Sequence, residues 1–286
     1  MSTPYGPVVD QYRHYDADRC ATWAPSLKLA VEAPELSERD VAVLTVALDS
    51  VSHMALPVIE DHVDAALDAG SSVTELIEAI MHLGGLEAGT HGLHDGLEAI
   101  AMVALARRDA GRDVPVDGPP LGERDMVREA PWPDPPVFPY HSPYPRHHMQ
   151  VLERYHPELF VAFKAWRDAQ FQLRKVLTRR MQELLVTACD TGIHWPEPLL
   201  DHHMHAAFEV GVTVREIVET VLLAAVVMPG ARLGNFAGRR LDGGVQAVHH
   251  GLTALERVLA QRDGRELLAR RDADSPWQGL AHLGAR

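Results

Sequence analysis

Apolar and polar residues along this chain alternate with the period of a helix, not of a strand. Ser37 to Val51 reads as one helix and Pro57 to Ala69 as the next, with Pro57 near the first turn, where its missing N–H is not needed. Ser72 to Leu83 and about Leu93 to Arg108 follow, and Ile77, Ile80 and Met81 mark an apolar core face. Gly70 stands where the second helix should end in a left-handed turn. Ser72-Val-Thr-Glu75 is a capping box for the third: the hydroxyl takes an orphan amide and the Glu reaches back.

The same series occurs twice. Displaced by 141 positions, Leu36 to Glu78 lies on Leu177 to Glu219 without a gap. Asp49 then meets Asp190, His53 meets His194, Pro57 meets Pro198, His62 meets His203 and Gly70 meets Gly211, and the second capping box is Thr213-Val-Arg-Glu216. The offset grows to 155 where HDGLEAIAMV from His94 lies on HHGLTALERV from His249, so about fourteen extra residues fall around PGARLGNFAGRRLDGG. A period this long is a duplicated domain and not a solenoid. The predicted fold is all-α: two tandem helical bundles related by pseudo-two-fold symmetry, each preceded by an amphipathic helix such as Pro157 to Leu177. The first repeat spans 1–108, a proline-rich connector 109–146, the second repeat 147–264 and a polar tail 265–286.

Composition narrows the function classes. Hydrophobic residues make up 46% and aromatics only 6%, which favours helices, because aromatic and β-branched residues are the strand formers. A formal charge of −13 without a long basic run argues against nucleic-acid binding. The start, MSTPYGPVVDQYRHYDADRC, has no apolar core of a signal peptide, and no apolar run is long enough to cross a membrane, so a cytoplasmic location is expected. Cys20 and Cys189 are far apart and no C-x-x-C occurs, which suits inert buried thiols. Histidine is in excess, at 17 against six Tyr and six Phe.

His-x-x-Ala-Ala-x-x-x-Gly-x-(Ser/Thr)-x-x-Glu-(Ile/Leu) appears as His62 to Leu76 and again as His203 to Ile217. This pattern resembles the core of the carboxymuconolactone decarboxylase family, which includes the alkylhydroperoxidase D-like proteins. The resemblance implies an all-α fold, assembly through paired bundles, and a homo-oligomer; three tandem chains would build a six-unit ring. The peroxidase branch carries Cys-x-x-Cys ending four residues before the histidine. Here those positions are Ala55 and Val58, and Pro196 and Leu199. Without sulfur there, thiol peroxidase chemistry has no nucleophile, and the chain is more similar to the decarboxylase branch. The family's upstream glutamate looks matched by Glu183, whose repeat-one counterpart is Ala42.

Three histidines recur in both copies: His53, His62 and His94, and His194, His203 and His249. Asp49/Asp190 and Glu60/Asp201 recur beside them, and the i, i+4 spacing predicts that Asp49 fixes the His53 imidazole and Asp190 that of His194. His62 with His94, and His203 with His249, are expected to share a pocket as catalytic residues together with Glu183, with His53 at the mouth. Two chemistries are open. Imidazole acid/base catalysis without a cofactor suits decarboxylation, a lyase or an isomerase step on a small organic acid or lactone. Alternatively, His53, His62 and His94, or His194, His203 and His249, hold a divalent metal such as Zn, Fe or Cu. Arg232, Arg239 and Arg240 near the insertion would bind an acidic small-molecule substrate, since the guanidinium fork matches a carboxylate; a solvated loop is the plain alternative. His82 faces Leu223 in the alignment and His91 faces Arg232, so both read as local choices; His202 and His205 flank His203 in repeat two alone. A non-catalytic binding or scaffold protein is the rival from another class, favoured for repeat one by Ala42.

The missing cysteine pair yields a first test. Hydroperoxide should not be turned over with a dithiol reductant; steady turnover that disappears in Cys189→Ser would overturn this reading of the chemistry.

Overall fold

The computed structural model describes residues 35–84, 89–118, 121, 154–162, 165, 176–193, 197–228 and 243–263. His194, Pro196, Arg232, Arg239 and Arg240, most of the proline-rich connector and the polar tail lie outside the described residues. Among those described, helices joined by turns occur and no strand does. The first set is α1 (Glu38–Val51), α2 (Leu56–Asp68), α3 (Val73–Gly84) and α4 (Gly89–Asp109). The second is α5 (Arg179–Gly192), α6 (Glu197–Glu209), α7 (Val214–Val227) and α8 (Gly243–Asp263). None of these helices is long and apolar enough to cross a membrane.

Local chemistry explains the boundaries. Ser37 caps α1 by accepting from the Asp40 amide, and the Asp40 carboxylate accepts from the Ser37 amide. Thr213 and Glu216 make the same reciprocal box at α7. Ser72 accepts from the Glu75 amide, while the Glu75 carboxylate takes Arg39 at 2.7 Å. The next two donors of α3, the amides of Val73 and Thr74, bond the carbonyls of Pro115 and Val116, so the start of the connector is docked there. α2 and α6 end alike. Gly70 and Gly211 both have φ +90°, and Ser71 and Val212 donate back to Ala66 and Ala207, the wrap-around stop that glycine permits.

The two sets pack by one scheme. α1 lies against α2, α3 and α4, and α4 also touches α2 and α3; α5 through α8 repeat these pairings. Glycine marks the tightest crossing in each. A Cβ on Gly96 would lie 2.8 Å from both Ile80 and Ser50, and one on Gly251 would lie 2.7 Å from Val221 and 3.0 Å from Thr191. These neighbours correspond at the offset of 141 and the glycines at 155, so the sequence registers hold in three dimensions. The ion pairs joining α2 to α4 and α6 to α8 differ: Arg107 binds Asp64 and Asp68, each at 2.7 Å, whereas Arg257 binds Asp201 at 2.8 Å.

The halves meet through α1 and α5, with α3 against α5 and α7 against α1. Glu78 of α3 accepts from the Val176 and Leu177 amides at 3.0 and 2.7 Å, just ahead of α5. Its counterpart Glu219 of α7 accepts from the Glu35 and Leu36 amides, at 2.9 Å for Leu36, just ahead of α1. Each half thus anchors the run-in to the other's first helix. Lying between its own bundle and the other half, α1 is buried at every residue from Val43 to Val51, and α5 from Met181 to Gly192. Cys189 is inside α5, fully buried.

Two sequence expectations are corrected here. α4 begins at Gly89, before the expected Leu93. The helix expected over Pro157 to Leu177 is helical at 157–162, but residues 176–178 are non-helical: the amides of Val176 and Leu177 donate to Glu78, and Thr178 is the N-cap of α5.

The glycine crossings generate a prediction. Gly251→Ala should cost about 1–3 kcal/mol, the usual overpacking range, because its neighbours are short branched side chains that cannot turn away. Gly96→Ala should cost less, since the Ile80 tip can swing. Melting temperatures of the two variants check the order; equal and small losses would remove the close-crossing account.

Candidate active site

Polar groups inside a helix buried on all sides must be paired within the protein. Asp49 of α1 is 1% exposed and hydrogen-bonds Nδ1 of His62 on α2, which is itself buried. Burial is the larger influence on Asp49 and pushes its carboxyl up from the ordinary 3.8; the hydrogen bond and charge of His62 draw it partly back.

Repeat two arranges its histidine differently. Nδ1 of His203 on α6 lies 3.4 Å from Oε2 of Glu183, and Nε2 lies 3.9 Å from Oδ2 of Asp190. The other oxygen of Glu183 is 3.3 Å from Nη2 of Arg179, one helical turn earlier on α5. Burial acts to raise the Glu183 carboxyl, but the His203 hydrogen bond and the charges of His203, Arg179 and His82 outweigh it and hold the group below the ordinary 4.5. Glu183 is therefore ionised at neutral pH, and it fixes the imidazole as a carboxylate would fix a general acid or base. The His203 side chain is 19% exposed against 5% for His62, so only the repeat-two imidazole of this pair has an opening to solvent.

His82 on α3 of repeat one reaches this site from across the joint: its Nδ1 lies 3.5 Å from Nε2 of Gln182, the neighbour of Glu183. The ring of His202 stands edge-on to His203, centroids 5.3 Å apart. Burial first, then the charge of His203, pulls His202 down to about 4, with His205 and Arg179 adding to the effect and Glu183 opposing it. His205 itself bonds Gln261 at 2.8 Å. Comparing the repeats position by position misses His82, because its counterpart is Leu223. The absence of counterparts for Arg179 and His202, which meet Glu38 and Asp61 at the same offset, was the available signal.

Several expected partnerships do not form. His53 is exposed, at φ +52°, because α1 stops at Val51; the i, i+4 geometry is lost and Asp49 turns to His62. His94 is 69% exposed, near Asp95 and Glu98 at 3.5 Å, and His249 is exposed beside Thr253. The reason is helical geometry. Gly96 and Gly251 face inward at the tight crossings, and a residue two positions earlier lies about 200° around the helix. His94 and His249 therefore do not share a pocket with His62 and His203. For the same reason His53, His62 and His94 do not converge on one metal ion, and among the described residues no group of three His, Cys, Asp or Glu side chains does. Asp201 serves the Arg257 ion pair.

Helices in this order and pairing define an all-α protein built of two packed bundles. No family model and no curated protein matches the chain. Among solved structures it is similar to the crystal structure of "a putative gamma-carboxymuconolactone decarboxylase subunit" from Burkholderia xenovorans LB400, with a TM-score of 0.51 and 18% sequence identity over 89% of this chain and 90% of that one. The fold that the histidine motif implies is thus the fold found, and the likeness extends over nearly the full length of both chains.

The depressed His202 gives a pH prediction. The unfolded histidine takes a proton near 6.5, the folded one only near about 4. Its contribution to stability is therefore complete above 6.5 and is lost as pH falls from 6.5 towards 4. Replacing His202 with Gln should flatten the loss of melting temperature in that window while leaving the steeper loss below 4.5, where Glu183 protonates. An unchanged slope would show that His202 titrates normally.

Proposed function

We propose that this chain is an enzyme of the carboxymuconolactone decarboxylase type, using His203 and Glu183 for non-redox acid/base chemistry on a small organic acid or lactone. One observation carries the reading: a buried, ionised Glu183 fixes the imidazole of His203 beside an opening to solvent. In a decarboxylation the C–CO2 bond breaks, CO2 leaves, and the electron pair stays on carbon as a dienolate. The imidazolium of His203 delivers the proton that restores a C–H bond and is recharged from solvent. A lyase or isomerase step uses the same group in the reverse sense, as a base on carbon. The partly open position of His203, with Arg179 on the same Glu183 carboxylate, supports an acidic substrate, and the similar solved structure, "a putative gamma-carboxymuconolactone decarboxylase subunit", points the same way. Assembly of the chain with copies of itself, and reaction without a metal, belong to this proposal.

A second reading applies to repeat one alone. His62 is sealed against Asp49, and Ala42 stands where Glu183 would be, which supports a structural role there. The two readings predict opposite behaviour. With γ-carboxymuconolactone as the first substrate of a lactone and unsaturated-acid panel, His203→Ala should lower turnover by roughly 10²–10⁴, the range for a lost general acid or base, with little change in melting temperature. His62→Ala should keep turnover but lose about 1–3 kcal/mol, since Asp49 is left buried without its partner. Full activity of His203→Ala on every substrate the wild type accepts would end the acid/base claim.

A further inference from the structure

Across the joint, α3 packs against α5 and α7 against α1, and the two contacts match in place but not in chemistry. On the α3 side, His82 and Gln182 are both buried, with the imidazole Nδ1 3.5 Å from the amide Nε2 of Gln182. The matching positions on the other side are Leu223 and Val41, an aliphatic pair, also buried. The next position along the helix divides the two sides in the same way: Glu183 follows Gln182, and Ala42 follows Val41. An imidazole and an amide cost more to bury than a leucine and a valine, and they stand on the side that has a buried carboxylate. We propose that His82 is a positioning residue of the repeat-two site, supplied by repeat one: with Gln182 it braces Glu183, the carboxylate that orients His203. The proposal rests on the reading of Glu183 and His203 as the acid/base pair, and it adds a group from the other half of the chain on which that pair depends.

Two effects follow from this position. The first is hydrogen bonding. The Gln182 amide can donate to a neutral ring through its nitrogen or, turned over, accept from a charged ring through its oxygen, so it suits His82 in either state. The second is electrostatic. Burial works against the charge on Glu183, and the positive groups around it work for that charge. These groups come from three helices: Arg179 from α5 itself, His203 from α6 and His82 from α3. His202, also on α6, is neutral near pH 7 and adds no charge there. On α1 and α7, which pack against α5 as well, Asp40 and Glu216 are bound by Arg180. Inside the joint a charge acts more strongly than in water, because little solvent screens it. Repeat one has an alanine where Glu183 would be, yet through His82 it helps to hold the repeat-two carboxylate in the ionised form that fixes the imidazole of His203.

The test follows the Glu183 carboxyl by NMR in the full chain labelled at glutamate, titrated downward from neutral pH, with kcat/KM measured over the same range. In His82→Leu the Glu183 carboxyl should protonate at higher pH than in the wild type, because a charge that stabilises the anion has gone. The acid limb of kcat/KM should move up with it, to about half the wild-type value where the carboxyl is half protonated, with little change near neutral pH. His156→Gln, at an exposed ring near Glu158, should move neither. Should His82→Leu alone lose its fold, adding Gln182→Val reproduces the aliphatic pair that the chain already holds at Leu223 and Val41, and His82→Gln removes the charge while keeping a polar side chain; both should give the same upward movement. An unchanged Glu183 titration in a folded His82 variant, with only the melting temperature altered, would show a packing residue and overturn the proposal. The outcome is separable from the catalytic reading. A moved carboxyl titration with a fully active His203→Ala would keep the bracing role and remove the acid/base pair. An unmoved titration alongside an inactive His203→Ala would do the reverse.

Discussion

Burial of α1 and α5 on all sides is the constraint from which the rest follows. A helix with one wet face can send its polar residues to water; these two cannot over most of their length. Every acid on them must find a partner in the protein or lose its charge. Asp49 meets this through His62, and Glu183 through Arg179 and His203 together. The hydroxyls of Thr45, Thr191 and Ser50 do so through backbone carbonyls, the first two within their own helices and Ser50 at Gly92. Central position therefore produces both the stability of the double bundle and a low-dielectric setting that pushes both carboxyls up, an effect that prevails at Asp49 and is outweighed at Glu183.

Opposite directions at related sites follow from the partners each acid has: His62 alone at Asp49, and His203 with Arg179 and His82 at Glu183, where repeat one has Ala42. With only Asp49 available, the imidazole of His62 is drawn inward and sealed. With Glu183 one helical turn from Arg179, a carboxylate is stabilised as an anion without the histidine having to bury itself fully, and His203 keeps an edge towards solvent. Desolvation dominates in the first case, and ion pairing and hydrogen bonding outweigh it in the second.

The fold was legible because it depends on local signals that agree with one another and recur in both halves: helical period, capping residues at Ser72 and Thr213, and glycine stops at 70 and 211. The site was legible only in part. Recurrence singled out His62 and His203, and the structure places both beside buried acids. It misled at His94 and His249, where the inward glycine two positions later carries the packing constraint and the histidine merely accompanies it. The pairing of Asp49 with His53 failed because i, i+4 reasoning assumes a helix that continues, and α1 stops at Val51. His82 was invisible for a different reason. Its partner Gln182 lies a hundred positions away in the other half, and a comparison that lays one repeat on the other discards any residue used across the joint.

That joint also explains why the two sites are free to differ. If one bundle paired with an identical copy, each site would receive the same side chain from its neighbour, and a change helpful at one would be imposed on the other. In a covalent tandem the two sides of the joint vary separately. The anchoring glutamates Glu78 and Glu219 still match, because each must satisfy two amides ahead of a buried helix and neither half tolerates losing that contact. The residues facing the histidines carry no such mutual obligation, so His82 can stand opposite Leu223, Arg179 opposite Glu38 and His202 opposite Asp61. The halves thus match where the packing is shared and diverge around the one of the two paired imidazoles, His203, that keeps an edge towards solvent.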